Sequence, residues 1–122
     1  MFLDTNFLIG NGLAGSPAAR QVDQWVTAGT ALHVSAIAWA EYLCGPLSPA
    51  EEAATATLLA AIHPADAPIA SLAAQLFNAT GRRSRSLPDC LIAATAILAQ
   101  QPLATLNDAD FLPFTPFGLT LA

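Results

Sequence analysis

The stretch SLPDCLIAATAILAQQPLATLNDADF, residues 86–111, decides the fold because it joins a helix, a turn and a strand in one run. An alanine-rich segment that is typical of a helix opens at Asp89 and ends near Gln100, and a short apolar strand is predicted over 103–106. The strand is followed directly by three polar residues, Asn107, Asp108 and Asp110. Acidic side chains therefore bracket this helix–turn–strand unit at both ends.

Asp89 has an ordinary local explanation. Ser86-Leu87-Pro88-Asp89 has the form of a capping box, in which the serine caps the helix and the aspartate reaches back to a free backbone N–H. Ser48-Pro49-Ala50-Glu51 has the same form, and there we accept this interpretation. Whether Asp89 has a further role depends on the residues that the fold brings to it.

Length and composition indicate one globular domain, residues 1–122. The chain is 54% hydrophobic and 11% charged, which is enough for a single core and too apolar for disorder. Its longest apolar stretches contain polar residues and fall short of the roughly 18 residues that a membrane span needs. The start of the chain has no basic flank and carries Asp4 in its first apolar run, unlike a signal peptide. We expect a soluble, cytoplasmic protein that does not associate with membranes.

The charge balance limits the kind of partner. The chain has no lysine, and its nine acidic residues outnumber four arginines, for a net charge of −5. Such a charge repels nucleic acid, so any contact with phosphate must be local or mediated by metal ions. Arg82, Arg83 and Arg85 lie just ahead of Asp89. These arginines are as consistent with a solvated surface loop as with a role in binding the phosphates that flank a cleavage site.

Short apolar strands alternate with helical segments along the chain. Strands are predicted over 1–4, 31–34, 62–64, 103–106 and, at the end, 118–121. Helices are predicted over 7–13, 17–26, 36–44, 49–59 and 68–79, besides the one that opens at Asp89. Thr5 and Asn6 are the predicted caps of the first of these helices, Ser16 of the second and Ser35 of the third. This alternation predicts βαβ units and an α/β fold, with a mainly parallel central sheet covered by helices on both faces.

Several acids are predicted at one edge of that sheet, because ligand sites in such folds lie beyond the carboxyl ends of the strands. Asp4 ends the first strand, and the 107–110 segment follows a later one. Glu41 lies in the helix after the second strand and is the only charged residue between 31 and 47. Burying it without a partner would cost several kcal/mol. It therefore needs water, hydrogen bonds or a cation from outside the chain.

Two interpretations of these acids compete. If each has a separate local role, Asp4 and Glu41 stay poorly explained. If they converge with Asp89, their repulsion demands a cation, and the absence of lysine makes a bound divalent metal the candidate. Oxygen ligands without a His or Cys set favour Mg²⁺ or Mn²⁺ over Zn²⁺. A carboxylate-held ion of this kind in an α/β crevice suits phosphoester hydrolysis.

Four segments resemble, in order and spacing, the motifs of the PIN-domain ribonucleases. They are Leu3-Asp4-Thr5-Asn6, Ser35 with Ala40-Glu41, the run from Asp89 to Ala96, and the run from Ala104 to Phe111. The sequence is most similar to the VapC-type toxins of toxin–antitoxin pairs. This resemblance implies a three-layer α/β/α fold, an Mg²⁺- or Mn²⁺-dependent endoribonuclease toxin, a homodimer and inhibition by a VapB-type antitoxin.

The resemblance also implies roles for individual residues. The catalytic, metal-binding acids would be Asp4, Glu41, Asp89 and Asp110, with Asp108 as a second candidate for the fourth position. Thr5 and Asn6 would orient Asp4, and Asn107 would support the metal through water. The arginine loop of residues 82–85 would contribute the RNA-binding surface.

Other functions have weaker support in the sequence. A PIN-like nuclease in RNA processing, without an antitoxin, would have the same site. A non-catalytic α/β binding module is disfavoured because no acidic motif position is lost. Haloacid-dehalogenase phosphatases and receiver domains both need a lysine, which this chain does not have.

Overall fold

The computed structural model describes residues 1–122 and confirms the predicted α/β class. Four strands form one sheet in the order β3-β2-β1-β4, and every pairing is parallel. The strands are β1 (Phe2–Leu3), β2 (His33–Ser35), β3 (Ala61–His63) and β4 (Leu103–Ala104). Because β1 lies between β2 and β4, the residues that follow these three strands meet at the same edge of the sheet.

Helices cover both faces of the sheet. They are α1 (Thr5–Asn11), α2 (Pro17–Thr27), α3 (Ala36–Leu43), α4 (Pro49–Leu58), α5 (Ala67–Ala79), α6 (Leu87–Leu98) and α7 (Asp108–Phe111). A 3₁₀ helix, Ser84–Ser86, directly precedes α6, and a second, Leu112–Phe117, directly follows α7. Ser16, Ser35 and Ser48 cap α2, α3 and α4, as predicted, each accepting the N–H three residues on. None of these helices has the length and apolar character that crossing a membrane requires.

The first helix begins earlier than predicted. We expected it over 7–13 with Thr5 and Asn6 as caps, but α1 starts at Thr5 and ends at Asn11. Its N-cap is Asp4, whose Oδ1 accepts the backbone N–H of Thr5 at 2.7 Å. The helix thus begins directly at the end of β1, and it holds that carboxylate in place.

All five strand predictions differ from the structure in length or position. β1 is Phe2–Leu3 rather than 1–4, and β3 is Ala61–His63 rather than 62–64. β4 ends at Ala104 rather than at 106, because the N–H of Leu106 donates to Asn6 Oδ1 at 3.0 Å and leaves the ladder. β2 begins at His33 rather than at 31. The predicted last strand over 118–121 is reduced to one parallel bridge between Leu121 and Leu103.

Two apolar cores, one on each face, hold the sheet. Phe2 and Leu103 face the core made with α5, α6 and the chain end, whereas Leu3 and Ala104 face the core made with α1 and α2. Each fully buried Phe or Leu side chain contributes about 1.5–3 kcal/mol. Successive residues of β1 and β4 are thus buried on opposite sides, as the three-layer prediction requires. The backbone at the carboxyl ends of these strands is therefore rigidly placed.

Candidate active site

Four acidic side chains from four elements lie near the carboxyl edge of the sheet, where their charges act on one another, and we call this region the acidic crevice. Asp4 follows β1, Glu41 lies on α3, Asp89 on α6 and Asp110 on α7. Their proximity is evident in the pKa of Asp89, which burial first, and then the charges of Asp4, Asp110 and Glu41, raise to about 7. The structure therefore brings together the four acids that the sequence predicted.

Asp4 is the most constrained of the four. It is only 5% exposed, and both carboxylate oxygens are hydrogen-bonded: Oδ1 to the Thr5 N–H at 2.7 Å and Oδ2 to the Thr105 hydroxyl at 2.9 Å. Burial raises its pKa, the two hydrogen bonds oppose that rise, and the charges of Glu41 and Asp110 add to it. Asp4 is thus a fixed carboxylate at the floor of the acidic crevice.

Asp89 does not take part in the capping box that its sequence predicted. Ser86 has helical backbone angles and makes no side-chain cap bond, because its hydroxyl donates to the Arg83 carbonyl oxygen at 2.7 Å. Neither a hydrogen bond nor a positive charge offsets the rise in the Asp89 pKa. The local explanation for this residue is therefore wrong, and its carboxylate faces the other acids without a partner.

Glu41 and Asp110 are both exposed and are each held by one neighbour. The Thr5 hydroxyl donates to Glu41 Oε1 at 2.8 Å, and the side-chain amide of Asn107 donates to Asp110 Oδ2 at 2.6 Å. Thr5 therefore contacts two of the acids, through its backbone and its hydroxyl. Asn107, predicted to act through water, contacts Asp110 directly.

The structure distinguishes the two candidates for the fourth acid. The charge of Asp110 raises the pKa of both Asp4 and Asp89, whereas Asp108 affects neither. Asp108 is exposed in the first turn of α7. The fourth acid of the crevice is therefore Asp110.

Thr105 contacts Asp4 and was not among the predicted site residues. Its hydroxyl donates to Asp4 Oδ2 and accepts hydrogen bonds from the Asn6 side-chain amide at 3.3 Å and the Asn107 N–H at 3.1 Å. Asn6 thus reaches Asp4 only through Thr105. The position of Thr105 in the sequence could have identified it. It directly follows β4, the strand that pairs with β1, just as Asp4 directly follows β1, so the two residues lie side by side.

The arginine loop supplies no counter-charge to these acids. The guanidinium of Arg82 hydrogen-bonds the side chain of Asn78 and lies 5.6 Å from the ring centroid of Phe77, so it is engaged by α5. Arg83 and Arg85 are exposed ahead of α6. No arginine is among the charges that act on Asp4 or Asp89.

The donor set of the acidic crevice fits a hard divalent cation in chemistry, since only oxygen ligands and no cationic side chain meet there. As the side chains stand, no three His, Cys, Asp or Glu residues form a group that would hold a metal ion. Glu41 and Asp110 are turned towards Thr5 and Asn107. Both side chains are exposed, so they could turn from these partners towards a bound cation.

Fold and site together define an α/β/α domain with a carboxylate crevice at the end of its parallel sheet. The family model of the PIN domain matches residues 1–113 of this chain. The chain therefore belongs to the PIN domain family, which confirms the resemblance found in the sequence. No curated protein matches it.

Solved structures with this fold include several toxins. A toxin–antitoxin complex from Klebsiella pneumoniae is 29% identical with a TM-score of 0.70, over 90% of this chain and 88% of that one. VapBC2 from Rickettsia felis, bound to a DNA fragment from its promoter, is 19% identical with a TM-score of 0.75, over 99% and 96%. The sarcin-ricin loop cleaving toxin VapC20 from Mycobacterium tuberculosis is 17% identical with a TM-score of 0.69, over 99% and 97%.

Proposed function

We propose that this protein is an Mg²⁺- or Mn²⁺-dependent endoribonuclease that hydrolyses RNA phosphodiester bonds and acts as the toxin of a VapBC-type toxin–antitoxin pair. The observation that carries the proposal is the convergence of four carboxylates in a PIN-domain fold with no cationic side chain to balance them. Such a set is costly for an unliganded protein, so a role in cation binding explains why it is there.

Asp4, Glu41, Asp89 and Asp110 would hold the metal. When bound, Mg²⁺ or Mn²⁺ supplies the Lewis acidity and the positive charge that phosphodiester hydrolysis needs. Asp4 would be the ligand with the most fixed position, because it is buried and hydrogen-bonded at both oxygens. Glu41 and Asp110 are exposed and can adjust. Burial and the neighbouring carboxylates raise the pKa of Asp89 to about 7, and a bound cation would oppose this rise.

The RNA substrate approaches an acidic protein, so its phosphates need local positive charge. Arg83 and Arg85 are exposed at the start of the segment that leads into Asp89, and they are the proposed contacts to flanking phosphates. Arg82 has the same proposed role, although it must first leave Asn78 and Phe77.

The proposed partners are a VapB-type antitoxin and a second copy of this chain. The antitoxin is supported by the likeness to a solved toxin–antitoxin complex at 29% identity and to the VapBC assembly from Rickettsia felis. The second copy of the chain is proposed from the family resemblance alone. Co-expression with a small reading frame beside the gene tests the antitoxin. If no such frame relieves toxicity, a PIN-like nuclease of RNA processing becomes the better description.

The activity is tested by cleavage of defined RNAs by the purified protein. Cleavage is expected with Mg²⁺ or Mn²⁺, should stop with EDTA, and should be lost in Asp89→Asn. Asp108→Asn is the matched control, because this exposed acid lies outside the acidic crevice and its removal should leave the rate unchanged. Cleavage that persists in EDTA or in Asp89→Asn would refute the proposal.

A further inference from the structure

We propose that Thr105 is a positioning residue that sets Asp4 and Asp110 relative to each other for cation binding. The proposal rests on the function proposed above and assigns a role to a side chain that carries no charge. Its basis is the set of hydrogen bonds that meet at one hydroxyl oxygen, between the end of β4 and the end of β1.

The direction of these hydrogen bonds is fixed by their chemistry. The Asn107 backbone N–H, 3.1 Å from Thr105 Oγ1, can only donate. The Asn6 amide also presents its nitrogen, at 3.3 Å, because its Oδ1 accepts the Leu106 N–H at 3.0 Å and so fixes which way the amide is turned. With two donors directed at its oxygen, the Thr105 hydroxyl must direct its own proton to Asp4 Oδ2, at 2.9 Å.

This arrangement determines how Asp4 presents its oxygens. Oδ1 is held by the Thr5 N–H and Oδ2 by Thr105, so the carboxylate plane cannot rotate. Each oxygen keeps lone pairs that are not used by these bonds and are available to a cation. The Thr105 hydroxyl therefore orients a ligand without being one.

Thr105 also connects Asp4 to the loop that carries Asp110. The same Asn107 that donates its backbone N–H to Thr105 donates its side-chain amide to Asp110 Oδ2 at 2.6 Å. Asn107 therefore links Asp110 directly, and Asp4 through Thr105, in one chain of hydrogen bonds. Loss of the hydroxyl would free both the Asp4 plane and the start of α7.

The expected effect of removing the hydroxyl is about 10–100-fold weaker Mn²⁺ binding, the usual size for a residue that orients a metal ligand. Thr105→Val keeps the shape of the side chain and removes its hydrogen bonds, whereas Thr105→Ser keeps the hydroxyl. Thr57→Val is the matched control, because the Thr57 hydroxyl donates only to the carbonyl oxygen of Ala53 in its own helix.

The experiment measures free Mn²⁺ by its electron paramagnetic resonance signal during titration of the full chain, with no RNA present. Wild type, Thr57→Val and Thr105→Ser should bind alike, and Thr105→Val should bind about 10–100-fold more weakly. In RNA cleavage, Thr105→Val should need more Mn²⁺ for half-maximal rate, with the KM for RNA unchanged. Thermal melting of each variant reports whether it is folded.

The results separate this proposal from the proposed function. If Thr105→Val binds Mn²⁺ as wild type does while Asp89→Asn does not, the role of Thr105 is refuted and the metal-dependent nuclease stands. If Thr105→Ser binds as weakly as Thr105→Val, the hydroxyl is not the positioning group and the proposal also fails. If the wild type binds no Mn²⁺, both proposals fall together.

Discussion

Asp4 and Asp89 repel each other across the acidic crevice. After burial, the charge of Asp4 is the largest influence on the pKa of Asp89, which rises from 3.8 to about 7. No positive side chain offsets this repulsion. The two acids are 85 positions apart in the sequence, so the fold itself brings these like charges near each other, and several measurements can detect the repulsion.

Asp89→Asn should stabilise the protein in metal-free buffer at pH 8. The pKa of Asp89 is raised in the folded state, so the folded state binds more protons between about pH 4 and 7, and stability falls as pH rises through that window. Removing the charge should recover on the order of 1–3 kcal/mol at pH 8, after allowance for water in an open crevice. Urea unfolding of wild type and Asp89→Asn in the presence of EDTA measures this difference in the free energy of unfolding.

The control for this measurement is Asp108→Asn, which removes an equal charge outside the acidic crevice. It should change the free energy of unfolding by less than about 0.5 kcal/mol. Equal stabilisation by both substitutions would mean that net charge, rather than the contact with Asp4, causes the effect.

Asp4→Asn should behave in the opposite way. One of the two hydrogen bonds to Asp4 must be lost, because the amide nitrogen that replaces an oxygen cannot accept the proton of Thr105 or the N–H of Thr5. We expect a net loss of about 1 kcal/mol, because the broken bond outweighs the relief of repulsion. Thermal melting of Asp4→Asn and Asp89→Asn, measured side by side with the wild type, tests this prediction. A melting temperature of Asp4→Asn above that of the wild type would show that repulsion dominates at this position.

Addition of Mn²⁺ should raise the melting temperature of the wild type. An ion that binds only the folded state adds about 2.7 kcal/mol when its concentration is 100 times Kd. EDTA should reverse the rise, and Asp89→Asn should show little of it. A shift of the same size in Asp89→Asn would place the stabilising ion outside the acidic crevice.

A second pH effect should come from two histidines on the neighbouring strands β2 and β3. His33 Nδ1 lies 3.0 Å from His63 Nε2, and both rings pack on Phe2. Burial, then the charges of the amino terminus and of His63, lower the pKa of His33. Because the unfolded state then binds more protons, stability from this source is lost as pH falls below about 6.5.

This histidine effect opposes that of Asp89 in the same pH range, so it is best measured in the Asp89→Asn background. Melting temperatures between pH 7 and 5 should fall in Asp89→Asn and fall less when His33→Gln is added. Parallel pH profiles for the two variants would argue that His33 does not contribute to the pH dependence of stability.

The starts of α2, α3 and α4 and three of the four acids, Asp4, Glu41 and Asp89, were predictable from the sequence, for different reasons. Serine caps at Ser16, Ser35 and Ser48 act over three residues, so they depend on no tertiary contact. The acids were found from their positions after predicted strands and on apolar helices, and the resemblance to the PIN family gave their roles. Ser86, with the same local pattern, does not cap, because the 3₁₀ turn before α6 directs its hydroxyl to Arg83.

The sequence by itself determined the alternation of strands and helices, the excess of acids over cations and the family. Only the tertiary structure decided that Asp110 rather than Asp108 enters the acidic crevice, that Asp89 has no capping role, and that Thr105 contacts Asp4. The physical reason is the separation along the chain between the residues that interact. Caps and apolar periodicity act between near neighbours, whereas the hydrogen bond from Thr105 to Asp4 joins residues 101 positions apart and forms only once β1 and β4 pair.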